Sequence, residues 1–157
     1  MAGRLSGIRE QRIEKIKQLK ELGVDPYIGK TERMDVIAEA RGKEGEKVKV
    51  VGRVMAIRGH GGLIFMDLRD ESGQMQLVIK KDNVSEREWM IQELVDIGDF
   101  VQAGGGVFKT KAGEISVEVK VFGLLSKAVR PLPSSWHGFK DVEERYRQRY
   151  VDLILNP

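Results

Sequence analysis

Three side chains within residues 47–80 have the chemistry to recognise a nucleobase: Arg58, Phe65 and Gln76. A planar guanidinium and an aromatic ring can stack on an unpaired base, and a carboxamide can hydrogen-bond the edge of that base. This chemistry requires that all three side chains lie on one surface. The alternative interpretation is that Phe65 is an isolated exposed ring, and that Arg58 and Gln76 are simply solvated.

The stretch that carries these side chains has the pattern of three consecutive strands. Residues 59–62 and 69–72 interrupt it, which predicts two tight turns. In the second and third strands every second residue is apolar, as expected when one face of a sheet is buried. The alternating apolar residues are Ile64, Met66 and Leu68, followed by Met75, Leu77 and Ile79.

The alternation also predicts a register. If each apolar set faces the core, Met66 pairs with Met75, and Phe65 lies opposite Gln76 on the outer face. The same reasoning for the first hairpin places Arg58 on the outer face, diagonal to Phe65. We therefore expect the three side chains to converge on one exposed patch of sheet.

Gly52 interrupts the first strand, and the apolar alternation changes parity around it. Val48 and Val50 belong to the inward set before the glycine, whereas Met55 and Ile57 belong to it afterwards. A change of parity at a glycine is typical of a β-bulge. We expect a bulge at Gly52, where it would let a long strand bend into a closed sheet.

Composition limits the class of protein. The chain has 157 residues, of which 41% are hydrophobic, enough for one sizeable core with a helical appendage. It has no apolar run long enough to span a bilayer, no signal-peptide pattern and no cysteine. These features favour a cytoplasmic protein that does not bind membranes. The net charge of +3 is mild, so the distribution of charge matters more than its total.

Residues 4–22 predict an amphipathic helix. Ile13, Ile16, Leu19 and Leu22 recur at helical spacing, and Gly23 suits the position after a helix C-terminus. Basic residues elsewhere on the helix predict a cationic outer face. Such a face is usually just solvated, and a contact to phosphates is the alternative if the neighbouring domain binds nucleic acid. The basic residues are Arg4, Arg9, Arg12, Lys15, Lys17 and Lys20.

The remaining elements predict an OB-fold. Residues 86–95 have a helical apolar stripe, and residues 99–109 and 113–125 have the alternation of a hairpin. The chain is therefore expected to be mainly β with a helical N-terminal extension. Five strands with a helix between the third and the fourth are the order of an OB-fold barrel, whose strand 2–3 face and loops bind oligonucleotides. The predicted patch lies on that face.

No catalytic or metal-binding pattern accompanies the patch. The two histidines, His60 and His137, have no carboxylate at ligand spacing. Residues 59–62 lack the strand-to-helix context and the Gly-Lys-Ser/Thr ending of a phosphate-binding loop. The sequence shows no side chain that could act as a nucleophile together with a general base that would activate it. We interpret the chain alone as a binding module, with no catalytic residue, metal or cofactor of its own.

Longer motifs resemble a known family. Six segments resemble the N-terminal part of class II lysyl-tRNA synthetases, and the resemblance runs over nearly the whole chain: GVDPY, GRVMAIRGHGGLIFMDLRDESGQMQLVIKK, LVDIGDFV, FKTKAGEISVEVK, LLSKAVRPLP and WHGFKDVEERYRQRYVDLILNP. The barrel portion is also similar to aspartyl and asparaginyl enzymes. FKTKAGEIS, LSKAVRPLP and RYRQRYVDLI distinguish the lysyl branch.

The resemblance implies an anticodon-binding OB-fold domain that precedes a catalytic domain. It divides the chain into a helical extension (1–45), the OB-fold domain (46–126), and a linker with the start of the catalytic domain (127–157). The class II motifs, the ATP site and the lysine pocket would lie beyond residue 157, so this fragment would have no catalytic site. The intact enzyme would be a homodimer that attaches lysine to its tRNA with ATP and Mg²⁺. Its nucleic-acid partner would be lysine tRNA and not DNA.

The resemblance also implies site residues. The family reads anticodon bases with an Arg that ends the first strand, a Phe in the second and a Gln in the third. These match Arg58, Phe65 and Gln76. The Glu of the family's KTKxGE turn, which is implicated in anticodon recognition, falls on Glu114.

Glu114 predicts a preference among bases. A carboxylate accepts a hydrogen bond from the imino N–H of uracil, whereas cytosine has an acceptor at that position, so the site would favour uracil. This preference suits the U-rich anticodon of a lysine tRNA. The alternative is that Lys109 or Lys111 merely neutralises Glu114. The predicted register of the last hairpin places Glu114 opposite Phe108, on the outer face.

Two alternative functions remain open for the patch. It could belong to a free-standing module that binds single strands or tRNA, or to an adaptor that binds polypeptide.

Residues 140–155 carry an apolar stripe at near-helical spacing, which would normally pack on the catalytic domain. The stripe consists of Val142, Tyr146, Tyr150 and Leu153.

Overall fold

A closed barrel of five strands is the central element of the fold. The computed structural model describes residues 2–133 and 142–156. In chain order its elements are α1 (Ala2–Glu21), α2 (Ile37–Ala40), β1 (Lys47–His60), β2 (Leu63–Arg69), β3 (Gln74–Lys80), α3 (Glu86–Glu93), β4 (Phe100–Lys109), β5 (Ile115–Ser126), α4 (Val142–Arg147) and α5 (Arg149–Leu155).

The strands close in the order β1-β2-β3-β5-β4, and β1 pairs with β4. Neighbouring strands are antiparallel except β3 and β5, which are parallel. Helix α3 lies between β3 and β4 in the chain, and Ser85 begins it with a capping box. The predicted OB-fold barrel with a helical N-terminal extension is therefore confirmed. Every strand contributes to the core, which includes Val50, Leu68, Leu77, Val101 and Val117.

The pairing of β2 with β3 differs from the predicted register by two residues. Phe65 lies opposite Val78, not opposite Gln76. Because side chains alternate with a period of two, a shift of two residues keeps the same faces buried, and alternation alone cannot detect it. The turn fixes the register, since the backbone N–H of Asp70 donates to the carbonyl of Gly73 over 3.0 Å.

Met66 on β2 and Arg58 on β1 also pair two residues away from their predicted partners. Met66 pairs with Leu77, two residues from its predicted partner, and Arg58 lies directly opposite Phe65 rather than diagonal to it. The tight turn between β1 and β2 sets this pairing, because Gly61 adopts a φ of 59° that favours glycine. In this register the guanidinium of Arg58 and the ring of Phe65 are direct cross-strand neighbours.

The β-bulge in β1 lies at Met55, not at the predicted Gly52. The pairing with β2 shifts between Val54 and Ala56, and Val54 remains buried. Gly52 keeps the regular pairing but lies close to β2, since a Cβ at this position would be 2.6 Å from the carbonyl oxygen of Arg69. Gly52 therefore permits a close backbone approach, whereas Met55 changes the parity of the strand.

The last hairpin also pairs two residues away from the prediction. Phe108 lies opposite Ser116 rather than Glu114, because residues 110–114 form the turn between β4 and β5. Thr110 closes this turn: its carbonyl accepts from the N–H of Gly113 (2.8 Å), and its hydroxyl accepts from the N–H of Glu114 (3.1 Å). Glu114 therefore belongs to the turn and not to the strand.

Helix α1 docks on the barrel through two basic residues that were predicted to face outward. Arg12 is buried and donates hydrogen bonds to the backbone carbonyls of Ala128 (2.7 Å) and Ile97 (3.0 Å). Lys15 Nζ lies 2.6 Å from the carboxylate of Asp96. The prediction of a cationic outer face is wrong for these two residues. Basic residues of α1 that are exposed include Arg9, Lys17 and Lys20.

Helices α4 and α5 carry the apolar residues of the predicted C-terminal stripe. Val142, Tyr146, Tyr150 and Leu153 are all exposed. Gln148 separates the two helices, so the stripe does not follow a single continuous helix. The start of the predicted segment, residues 140–141, lies outside the described residues. Across residues 2–133 and 142–156, no helix has the length and apolar character needed to cross a membrane.

Candidate nucleic-acid interface

An open pocket of about 440 Å³ lies on the outer face of β1, β2 and β3, beside the turn that precedes β5. The structure brings three of the four predicted site residues to this pocket: Arg58, Gln76 and Glu114. Phe65 does not line the pocket but lies next to it, directly opposite Arg58. The remaining lining residues are Arg41, Asp67, Gln74 and Met75.

The guanidinium of Arg58 is exposed, yet its orientation is fixed. Its Nη2 donates a 2.8 Å hydrogen bond to Oδ1 of Asp67 on the neighbouring strand. A guanidinium has five N–H donors, so this ion pair can orient Arg58 and still allow it to bind a ligand. Phe65 is half-buried on the same outer face. The ring and the guanidinium therefore lie on neighbouring strands of the same barrel face, and the guanidinium lines the pocket.

The carboxamide of Gln76 lies between two polar neighbours on adjacent strands. Asp67 is its cross-strand partner on β2, and Ser116 is its partner on β5. The hydroxyl of Ser116 donates to Oε1 of Gln76 over 3.1 Å. Ser116 is fully buried, so its hydroxyl holds the carboxamide from the β5 side and is shielded from solvent. Neither Asp67 nor Ser116 stands out in the sequence, because both are ordinary polar residues of alternating strands.

Glu114 forms an ion pair with Arg41, whereas the alternative interpretation named Lys109 or Lys111 as the residue that neutralises it. The Nη1 atom of Arg41 lies 3.7 Å from Oε1 of Glu114 and also donates a 2.7 Å hydrogen bond to the carbonyl of Gln74. Both side chains of the ion pair are substantially exposed. No local sequence signal predicts Arg41 as a site residue. Arg41 lies at the end of α2, outside the strands that form the pocket, and reaches the pocket only in the folded protein.

The β2–β3 turn holds α2 in place and thereby positions Arg41. Helix α2 follows Val36, which cannot cap it. Instead, the carboxylate of Asp70 accepts a 2.9 Å hydrogen bond from the N–H of Ile37, and the hydroxyl of Ser72 accepts one from the N–H of Ala38. The turn thus supplies the cap that the helix lacks.

Ionisation of Asp70 is linked to this cap. Burial raises its pKa and is the largest single contribution, but hydrogen bonds from Ser72, Ile37 and Gly73 together outweigh it and lower the pKa below its ordinary value of 3.8. A carboxylate with a lowered folded-state pKa stabilises the fold above its unfolded-state pKa. This stabilisation is lost as the pH falls through the folded-state value.

We expect Asp70→Ala to lower the free energy of unfolding by about 1–2 kcal/mol at pH 7, because it removes a helix cap and a turn acceptor. The difference from wild type should shrink below about pH 4. Urea denaturation at several pH values measures both effects. Glu71→Ala is the matched control, since Glu71 forms an exposed ion pair with Arg33 worth at most about 1 kcal/mol. Equal destabilisation by both variants would contradict the capping role.

The pocket combines hydrogen-bonding groups with an adjacent ring. It contains two ion pairs, Arg58–Asp67 and Arg41–Glu114, and within each pair the positive charge of the arginine balances the negative charge of the carboxylate. Binding would therefore depend on directed hydrogen bonds and stacking more than on a net charge at the pocket. Within the described ranges, no group of three or more His, Cys, Asp or Glu side chains could hold a metal ion. The arrangement suits a planar polar ligand such as an unpaired base.

Comparison with known proteins identifies a family match. Residues 48–125 match the model of the OB-fold nucleic acid binding domain. This range covers nearly the complete barrel, from the second residue of β1 to the penultimate residue of β5.

The chain is also similar to lysine–tRNA ligases. It is 49% identical over 150 residues to the enzyme of Moorella thermoacetica, covering 93% of this chain and 31% of that protein. It is 42% identical over 157 residues to that of Carboxydothermus hydrogenoformans (98% and 32% covered) and 48% identical over 151 residues to that of Clostridium perfringens (93% and 30%). The chain therefore spans about a third of the length of the curated relatives it matches.

Proposed function

The chain belongs to the family of OB-fold nucleic acid binding domains, and on this premise we propose that it is the anticodon-binding domain of a lysine–tRNA ligase. One observation carries the proposal. Arg58, Gln76 and Glu114 line a single open pocket, and Phe65 flanks it on the same barrel face. The similarity to lysine–tRNA ligases over nearly the whole chain supports lysine tRNA as the partner.

Each side chain has a distinct role in the proposed site. Phe65 stacks on an unpaired anticodon base, and Arg58 contacts the same nucleotide or its neighbour with the N–H donors that Asp67 does not use. Gln76 and Glu114 hydrogen-bond base edges. Arg41 balances the carboxylate of Glu114, which reduces its repulsion of the RNA backbone.

The intact protein, in this proposal, attaches lysine to its tRNA. Residues 1–45 are the helical extension, 46–126 the anticodon-binding domain, and 127–157 the linker and the start of a catalytic domain. ATP and Mg²⁺ serve that catalytic domain, and none of their ligands is assigned to residues of this chain. The enzyme acts as a homodimer in the cytoplasm, where translation takes place.

Titration with a fluorescent anticodon stem-loop of lysine tRNA tests the proposal. Wild type should bind in a salt-sensitive manner, because phosphate contacts release counterions. Arg58→Ala should weaken binding about three- to tenfold, the range expected for the loss of one hydrogen-bonding group. The change in affinity is measured by fluorescence anisotropy at several salt concentrations.

Arg33→Ala is the matched control, because Arg33 is an exposed arginine that also forms an ion pair, with Glu71, and does not line the pocket. It should bind like wild type. Absence of salt-sensitive binding by wild type would contradict the proposal and favour a polypeptide partner. Equal effects of both arginine variants would show that RNA binds elsewhere.

A further inference from the structure

The carboxamide of Gln76 has neighbours that favour one orientation over the other. A carboxamide presents an acceptor oxygen at one end and an NH₂ donor at the other. On the β5 side, the buried hydroxyl of Ser116 lies 3.1 Å from Oε1 of Gln76. The next acceptor within reach of that hydroxyl is the carbonyl of Glu114, at the longer distance of 3.4 Å. The single hydroxyl proton therefore has its nearer acceptor in Gln76.

The β2 side favours the same orientation. Asp67 lies directly opposite Gln76, and its carboxylate already accepts a hydrogen bond from Arg58. An ionised carboxylate only accepts hydrogen bonds, so an NH₂ group facing it is favourable, whereas a carbonyl oxygen facing it is repelled. Ser116 and Asp67 thus both direct the oxygen toward β5 and the NH₂ group toward β2, the side on which Arg58 and Asp67 line the pocket.

We propose that Ser116 is a positioning residue that presents Gln76 to the pocket as a hydrogen-bond donor and thereby makes the site select uracil over cytosine. This inference rests on the proposed function of the pocket. The selectivity follows from the edges of the two bases. Uracil carries an acceptor oxygen at position 4, whereas cytosine carries a donor amino group there.

Gln76 and Glu114 together then match one base. The NH₂ group of Gln76 is complementary to the acceptor at position 4 of uracil, and the carboxylate of Glu114 is complementary to its N3–H. Cytosine would place a donor against Gln76 and an acceptor against Glu114. Both mismatches leave polar groups unpaired at the pocket, and this penalty is the source of selectivity.

The test compares Ser116→Ala with wild type on stem-loops that carry U or C at each anticodon position. In Ser116→Ala the carboxamide loses its buried donor and can rotate, so the preference for U over C should fall about three- to tenfold at one position. Ser116→Thr keeps the hydroxyl and should keep the preference. Ser126→Ala, at the far end of the same strand, is the matched control.

A second measurement needs no RNA. In the free wild-type protein, nuclear Overhauser effects should connect the Nε2 protons of Gln76 to side chains of β2 and not to the β-protons of Ser116. The inference is overturned if these protons contact Ser116. It is also overturned if Ser116→Ala keeps the U-over-C preference while Gln76→Ala loses it. Failure of wild type to bind any stem-loop would instead contradict the proposed function, and the inference with it.

Discussion

Phe65→Ala is expected to weaken binding of a lysine tRNA anticodon stem-loop by about 5- to 150-fold. The estimate follows from base–aromatic stacking, which contributes about 1–3 kcal/mol per base. Phe65 is half-buried on the outer face of β2, where Arg58 lies directly opposite it. The ring is therefore positioned to extend the surface of the pocket. Fluorescence anisotropy below the unfolding temperature of both proteins measures the change.

Two further variants separate stacking from packing. Phe65→Tyr keeps the aromatic face and should bind within about threefold of wild type, whereas Phe65→Leu keeps apolar volume without a π-face and should resemble Phe65→Ala. Tyr27→Ala is the control for a half-exposed ring remote from the pocket. Wild-type affinity in Phe65→Leu would show that the ring does not stack on a base.

Asp99→Ala is expected to lower the free energy of unfolding by about 3–5 kcal/mol, out of the roughly 5–15 kcal/mol available to a small domain. Asp99 and Lys127 are both fully buried and lie 2.6 Å apart. The carboxylate of Asp99 also accepts from the N–H groups of Asp96 (2.8 Å) and Ala128 (2.7 Å). Its removal leaves the buried ammonium of Lys127 with Asp96 as its remaining carboxylate partner, and leaves two backbone donors without this acceptor. Urea denaturation measures the loss.

A double variant tests the electrostatic cause. Asp99→Ala with Lys127→Met removes both charges and should recover part of the lost stability, because it also removes the buried ammonium that has lost one of its two carboxylate partners. Lys17→Ala is the control, since Lys17 forms an exposed pair with Glu14 that lies outside this network and contributes at most about 1 kcal/mol. A single Asp99→Ala variant that unfolds at the wild-type urea concentration would contradict the role of the buried pair.

The fold class could be predicted because its signals are local. Alternation predicted the strands, Gly23 marked the end of α1 and has a φ of 69°, and the apolar stripe of residues 86–95 predicted the helix between β3 and β4. Pairing required information that alternation does not contain. Each hairpin register was wrong by two residues, because the turns at residues 70–73 and 110–114 are closed by specific hydrogen bonds.

The candidate site was only partly predictable, for the same reason. Arg58, Phe65 and Gln76 could be selected by residue type and by their position on the outer face. Arg41 and Ser116 could not, because their roles depend on tertiary contacts. Arg41 reaches Glu114 only because the β2–β3 turn caps α2, and Ser116 reaches Gln76 only through the parallel pairing of β3 with β5.

Chemical-shift mapping tests the central claim most directly. An ¹⁵N-labelled chain is titrated with the anticodon stem-loop of lysine tRNA, with the same stem closed by an unrelated loop as the control. We predict that the largest changes in backbone amide shifts surround Arg58, Phe65, Gln76 and Glu114, and that the control loop produces much smaller changes there. Shifts centred on α1 or on the opposite side of the barrel, with these four positions unperturbed, would contradict the assignment of this face as the anticodon site.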